Sequence, residues 1–216
     1  MRYSLSIFLL SGVFAFSQEV VPFSDEVNAI SKKYDSVWDS SRESIVFTGS
    51  SSVRMWHGLK ELFPEHQILN TGFGGSQASD LLYHLNPLVL RYKPKQVFIY
   101  EGDNDLSAKK RPKEIIATTH KIIQEIHSKN PAVNIVLIAA KPSISRWKLR
   151  GKYKRLNRKF RKMTKGNPLL SYADVWYPML DGRKLKKDIF IADGLHMNQK
   201  GYDIWYQAMK DLVTNP

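Results

Sequence analysis

Ile45-Val46-Phe47-Thr48-Gly49-Ser50-Ser51-Ser52 passes from four strand-favouring residues to a glycine and then into three hydroxyls. Glycine lets the chain turn sharply with no Cβ to clash, so a serine just beyond it is presented rather than buried. Strand, tight turn and serine together expose a nucleophile at the carboxyl edge of a parallel sheet, where α/β folds also bind their ligands. Serine-rich turns are common, so this stretch needs a base, an orienting acid and oxyanion donors from elsewhere in the chain.

Outward from that stretch, elements alternate. Upstream, Ser24 can cap a helix whose apolar positions Val27, Ile30, Tyr34 and Val37 fall three, four and three apart. Ser44 to Thr48 is the first strand, and Val53 to Leu62 reads as a short helical excursion. Gln67 to Asn70 is a second strand running into Thr71-Gly72-Phe73-Gly74-Gly75-Ser76, too glycine-rich for a helix or strand. A helical pattern follows from Gln77, with Leu81, Leu82, Leu85, Leu88 and Val89 on one face, until Pro94 ends it. Gln96 to Tyr100 is a third strand, and Val133 to Ala140 a fourth; both are apolar at nearly every position, as strands buried on two faces are. Between them Pro112 opens a helix carrying Ile115, Ile116, Ile122, Ile123 and Ile126.

A helix over Ser145 to Thr164 shows a stripe of Leu149, Tyr153, Leu156, Phe160 and Met163, with eleven lysines and arginines from Arg146 through Lys165. A fifth strand near Leu169 to Val175, an irregular stretch through Pro178 and Gly182, and a final helix from about Gln199 to Val213 complete the chain. The alternation predicts a three-layer α/β sandwich, with a parallel sheet of about five strands between helices.

Met1-Arg2 followed by an apolar run from Leu5 to Phe16 reads as a secretory signal cleaved after Ser17, leaving residues 18–216 as one domain. A retained anchor is the alternative, although the run is shorter than the ~20 residues a spanning helix needs. No cysteine occurs, so neither a disulfide nor a lipid-modified cysteine is available. A bacterial periplasmic or secreted location is expected. The net charge of +13 favours an anionic neighbour, and no acidic residue lies between Glu125 and Asp174. The basic helix is either a solvated face or a contact with anionic lipid or acidic glycan. Export and the lack of a recognisable binding module argue against nucleic acid.

Chemistry concentrates where strands end: Ser51 after the first, Gly75 after the second, Asn104 after the third, and Asp193 with His196 before the last helix. In a doubly wound sheet these ends share one edge. A serine hydroxyl needs a neutral imidazole to take its proton, and the imidazole needs an acceptor on its other nitrogen. Asp193 and His196 can supply both from one turn. The oxyanion needs donors placed beforehand, which the N–H groups of Ser51 and Gly75 and the amide of Asn104 can provide.

With these parts in place the chain resembles the SGNH hydrolases, or GDSL esterase/lipase family. Gly49-Ser50-Ser51 matches their Gly-Asp-Ser block, Gly75 the glycine of the second, Gly102-Asp103-Asn104-Asp105 the Gly-x-Asn-Asp block, and Asp193-Gly194-Leu195-His196 the Asp-x-x-His block. The resemblance implies a flavodoxin-like sheet, a cofactor-free esterase working through an acyl-enzyme, Ser51, Asp193 and His196 as its triad, and Ser51, Gly75 and Asn104 as its oxyanion hole. Ser50 departs from the pattern, standing where the family usually has aspartate. The serine run also leaves Ser50 and Ser52 as other candidate nucleophiles.

The same residues have plainer readings. Asn104 and Asp105 can brace a loop, His196 can be a helix-entry histidine, and Asp193 with His196 can be half a metal site that nothing completes. His57, His66, His84, His120 and His127 read as structural or exposed. Phe73, Tyr100, Trp147 and Trp176 can flank the site and stack on a sugar, or belong to the core. Short acyl esters, acetyl groups on a glycan, are the expected substrates. The alternatives are a lysophospholipase or thioesterase acting on lipid esters, and a catalytically silent envelope-binding protein.

Overall fold

The computed structural model describes residues 21–213. The proposed signal over residues 1–17 lies outside them. Five strands, β1 (Ser44–Gly49), β2 (Gln67–Asn70), β3 (Gln96–Tyr100), β4 (Asn134–Ile138) and β5 (Leu170–Ala173), form one parallel sheet in the order β2-β1-β3-β4-β5. This is the flavodoxin-like doubly wound order, whose reversal of winding falls between β1 and β3. The carboxyl ends of those two strands carry the serine turn and the Asn104 block.

Because strand side chains alternate, each strand serves two cores. Val46, Val97, Ile99, Ile135 and Leu137 face one layer, containing α1 (Ser24–Asp35), α3 (Ala78–Tyr83), α4 (Leu85–Leu88), α6 (Pro112–Lys129) and α7 (Arg150–Thr164). Ile45, Phe47, Phe98, Tyr100, Val136 and Ile138 face the other, which holds α2 (Ser51–Arg54) and α8 (Gln199–Met209). The in-register pair Phe47 and Phe98 stacks there with centroids 4.2 Å apart. A further short helix, α5 (Asp103–Ser107), follows β3 directly.

Several boundaries differ from the sequence reading. Phe23, with φ of 66°, precedes α1, and the Ser24 hydroxyl donates back to the Val21 carbonyl instead of capping. Val37 lies beyond α1 and is 63% exposed. The expected helix after Gln77 splits into α3, α4 and a 3-10 turn at Leu90–Tyr92, because Pro87 has no N–H to continue a single ladder. Of the helical excursion expected over Val53 to Leu62, only Val53 and Arg54 are helical, as the end of α2. β4 and β5 are shorter than expected, although the flanking Ala139 N–H still donates to the Ala173 carbonyl at 2.9 Å and the Leu169 carbonyl accepts the Ile135 N–H at 2.8 Å. The irregular stretch contains a small antiparallel hairpin, β6 (Leu180–Asp181) with β7 (Lys184–Leu185).

Candidate active site

Gly49 ends β1 with φ of 122°, and a Cβ there would stand 2.1 Å from the Tyr100 carbonyl oxygen, so only glycine lets the strand turn against β3. Ser50 then donates its N–H to that same carbonyl at 3.1 Å, and Ser51 opens α2. The three serines part here. Ser50 and Ser52 are each 2% exposed, whereas Ser51 is partly open and its Oγ is 2.9 Å from His196 Nε2.

Asp193 organises the turn that brings His196 to Ser51. Its Oδ1 accepts the N–H groups of Leu195 and His196 at 2.8 and 2.9 Å, and its Oδ2 lies 2.6 Å from His196 Nδ1. Burial pushes the Asp193 carboxyl up, but the His196 ring and those two backbone N–H groups outweigh it and draw the group down to about 2. A carboxylate is acceptor-only, so Nδ1 carries a hydrogen, and in the neutral ring Nε2 then presents its lone pair to the Ser51 hydroxyl.

Gly75 is exposed, with φ of 77°, and Ser76 beside it is tied to Asn104, whose Nδ2 donates to the Ser76 carbonyl at 2.9 Å. The same amide nitrogen donates to Ser50 Oγ at 3.2 Å. Ser50 thus fills its departure from the family pattern as a buried acceptor for Asn104. All five sequence-predicted residues, Ser51, Gly75, Asn104, Asp193 and His196, stand at the carboxyl edge on the turns after β1, β2 and β3 and the turn before α8.

A buried ionic cluster behind Asn104 escaped the sequence reading. Asp103 receives Arg146 Nη1 at 2.6 Å, the Tyr100 hydroxyl at 3.0 Å and the Tyr153 hydroxyl, and lies 3.8 Å from Lys141 Nζ. Burial alone would push this carboxyl up, but Lys141, Arg146 and Tyr153 hold it below the ordinary aspartate value. Lys141, fully buried and pulled down by that burial, also donates to the Leu195 carbonyl at 2.6 Å. Arg146 Nη2 reaches Asn104 Oδ1 at 3.0 Å. Below the Gly75 loop, Glu101 takes the Ser76 hydroxyl at 2.7 Å, and its burial, with Asp105 nearby, pushes it well up toward the neutral form. The one available signal was Lys141 itself, a lone cation directly after an apolar strand.

Other candidates fall elsewhere. Phe73, Tyr100 and Trp176 are core residues, while the half-buried Trp147 stacks on Trp176 at 6.3 Å. His84 and His127 bond the carbonyls of Pro22 and Val133. Among the described residues no group of three or more His, Cys, Asp or Glu side chains forms a metal-binding cluster.

The sequence over residues 35–204 matches the family model of the GDSL-like Lipase/Acylhydrolase family. No curated protein matches the chain significantly. Among solved structures, a Streptococcus pneumonia protein described as a platelet activating factor is similar at 25% identity and TM-score 0.75, over 87% of this chain and 92% of its own. A Bacteroides fragilis protein described as an acylhydrolase is similar at 16% identity and TM-score 0.75, over 91% of this chain and 97% of its own. An acetyl-xylooligosaccharide esterase from Geobacillus shares the fold at 19% identity and TM-score 0.65, over 80% and 95%. The family match spans the serine turn, the Gly75 loop, Asn104 and the Asp193–His196 turn, and by it the chain belongs to the GDSL-like lipase/acylhydrolase family, as an SGNH-type esterase.

Proposed function

We propose that Ser51 attacks the carbonyl carbon of a short acyl ester, an acetyl group on a glycan, with His196 as its base and Asp193 as the orienting acid. The observation that carries the reading is the continuous run from Asp193 through His196 to Ser51 at 2.6 and 2.9 Å. As Oγ bonds to the carbonyl carbon, its proton passes to Nε2, and the imidazolium formed is balanced by Asp193. The carbonyl oxygen becomes negative and is met by the N–H groups of Ser51 and Gly75 and by Asn104 Nδ2. The longer of the two Asn104 Nδ2 contacts, to Ser50 Oγ at 3.2 Å, is the one a negative oxygen displaces most easily. Collapse expels the alcohol with the proton from Nε2, and water repeats the sequence to free the acid. No cofactor takes part.

Short acyl groups are favoured because a long chain needs an extended apolar trough, each CH₂ contributing only about 0.8 kcal/mol. The acetyl-xylooligosaccharide esterase of the same fold agrees with that choice. The platelet-activating-factor neighbour favours a second reading, a lipid ester. We further propose export through the residue 1–17 signal to the periplasm or cell exterior, and contact between the exposed cations of α7 and an anionic envelope surface.

A series of p-nitrophenyl esters of rising acyl length, run beside acetylated xylan and lysophospholipid, tests the substrate. Highest kcat/KM at acetyl, with acetate freed from xylan, is expected. A maximum at medium or long chains, with fatty acid freed from lysophospholipid and no acetate from xylan, would replace the glycan reading by the lipid one.

A further inference from the structure

The segment 141–146 leaves the sheet after β4 and touches both halves of the site. Lys141 Nζ at its start and the Ser145 N–H further along donate to the carbonyls of Leu195 and Gly194, at 2.6 and 3.1 Å, on the turn that carries Asp193 and His196. At the other end Arg146 forks between Asp103 Oδ1 at 2.6 Å and Asn104 Oδ1 at 3.0 Å. Its side chain is only 18% exposed, although the sequence places it at the head of a solvent-facing basic run.

An asparagine amide has two ends of nearly the same shape and opposite polarity. Only the NH₂ end can stabilise a developing oxyanion; turned over, the carbonyl oxygen would repel it. A guanidinium donates and never accepts, so Arg146 selects the Oδ1 end. The Ser76 carbonyl accepts and never donates, so it selects the Nδ2 end. Ser50 Oγ can do either and selects neither, whereas an aspartate at that position would accept only. Arg146 therefore supplies a constraint that Ser50 leaves open. Asp103, itself fixed by Lys141, Tyr100 and Tyr153, holds the guanidinium in place.

We infer that Arg146 is a positioning residue for ester hydrolysis, holding the Asn104 amide with its N–H groups toward the oxyanion and acting through Asn104 alone. The inference rests on Asn104 being an oxyanion donor, as proposed above.

A double-mutant cycle on p-nitrophenyl acetate tests it. Asn104→Ala should lower kcat about a hundredfold. Arg146→Met should lower kcat about tenfold or more with KM little changed, and added guanidinium should restore part of the rate. The double variant should be no slower than Asn104→Ala alone and should not respond to guanidinium. If Arg146→Met fails to fold, Arg146→Lys and Arg146→Gln replace it: the donor-only lysine should keep a higher kcat than glutamine, which can present either end. Losses that multiply in the double variant, a wild-type rate for Arg146→Met, or equal rates for lysine and glutamine would overturn the inference and leave Asn104 as a donor. A wild-type rate for Asn104→Ala would instead overturn the donor reading beneath it.

Discussion

Ser51 meets His196 while its neighbours Ser50 and Ser52 are buried, and substitution separates the three. Ser51→Ala and His196→Ala should each lower turnover of a soluble ester by on the order of a thousandfold or more. Ser50→Ala should cost far less, because Ser50 offers only an acceptor to Asn104. A Ser51→Ala enzyme of near-normal rate beside an inactive Ser50→Ala or Ser52→Ala would move the nucleophile. With Asp193 drawn down to about 2, its carboxylate accepts the imidazole hydrogen throughout the working range. Activity should therefore fall on acidification before the Asp193 carboxylate itself takes up a proton, and a chelator should leave the kcat/KM profile unchanged. A first loss of activity near pH 3, or a profile restored by a divalent ion, would contradict this. Asp193 and His196 were legible because an Asx turn places residues three apart side by side. Asp103, Lys141 and Arg146 were not, since their pairing joins the turn after β3 to the segment after β4, which only the folded sheet brings together.

At the scale of elements, α7 shows what periodicity reveals and what it hides. Its stripe of Tyr153, Leu156 and Phe160 is buried as the spacing predicts, because the helix has one sheet-facing side. That stripe also reaches the site: a Cβ on Gly102, which has φ of 102°, would stand 2.6 Å from Leu156 Cδ2. Gly102→Ala should destabilise the protein by more than about 1 kcal/mol and displace Asn104, lowering kcat as well as the melting temperature. An unchanged melting temperature would contradict both the backbone strain at that φ and the close contact with Leu156. The hairpin β6–β7 and the split after Gln77 were illegible for local reasons. Two-residue strands carry no alternation to read, and Pro87 breaks a helix whose apolar face runs on across the break.

For the whole molecule, the alternation of strands with helices was enough to place the candidate site at one sheet edge, since a parallel sheet puts every strand's carboxyl end on the same side. Charge is the global property the fold leaves least explained. Of the eleven cations from Arg146 to Lys165, Arg146 turns inward and Arg161 pairs with Asp174, while Arg158, Lys159 and Lys162 stay exposed. Reversing the charge of these three should abolish sedimentation with anionic vesicles, an association that weakens as salt shortens the screening length toward ~10 Å, while hydrolysis of p-nitrophenyl acetate continues. Equal sedimentation before and after reversal would make the face merely solvated. The central claim is that Ser51 is a serine activated by His196, and a fluorophosphonate probe on the purified protein, located by peptide mass spectrometry, tests it most directly. The account predicts one label per chain, on Ser51, lost in Ser51→Ala and in His196→Ala. A label on Ser50 or Ser52, or a folded wild-type protein that takes none, would contradict it.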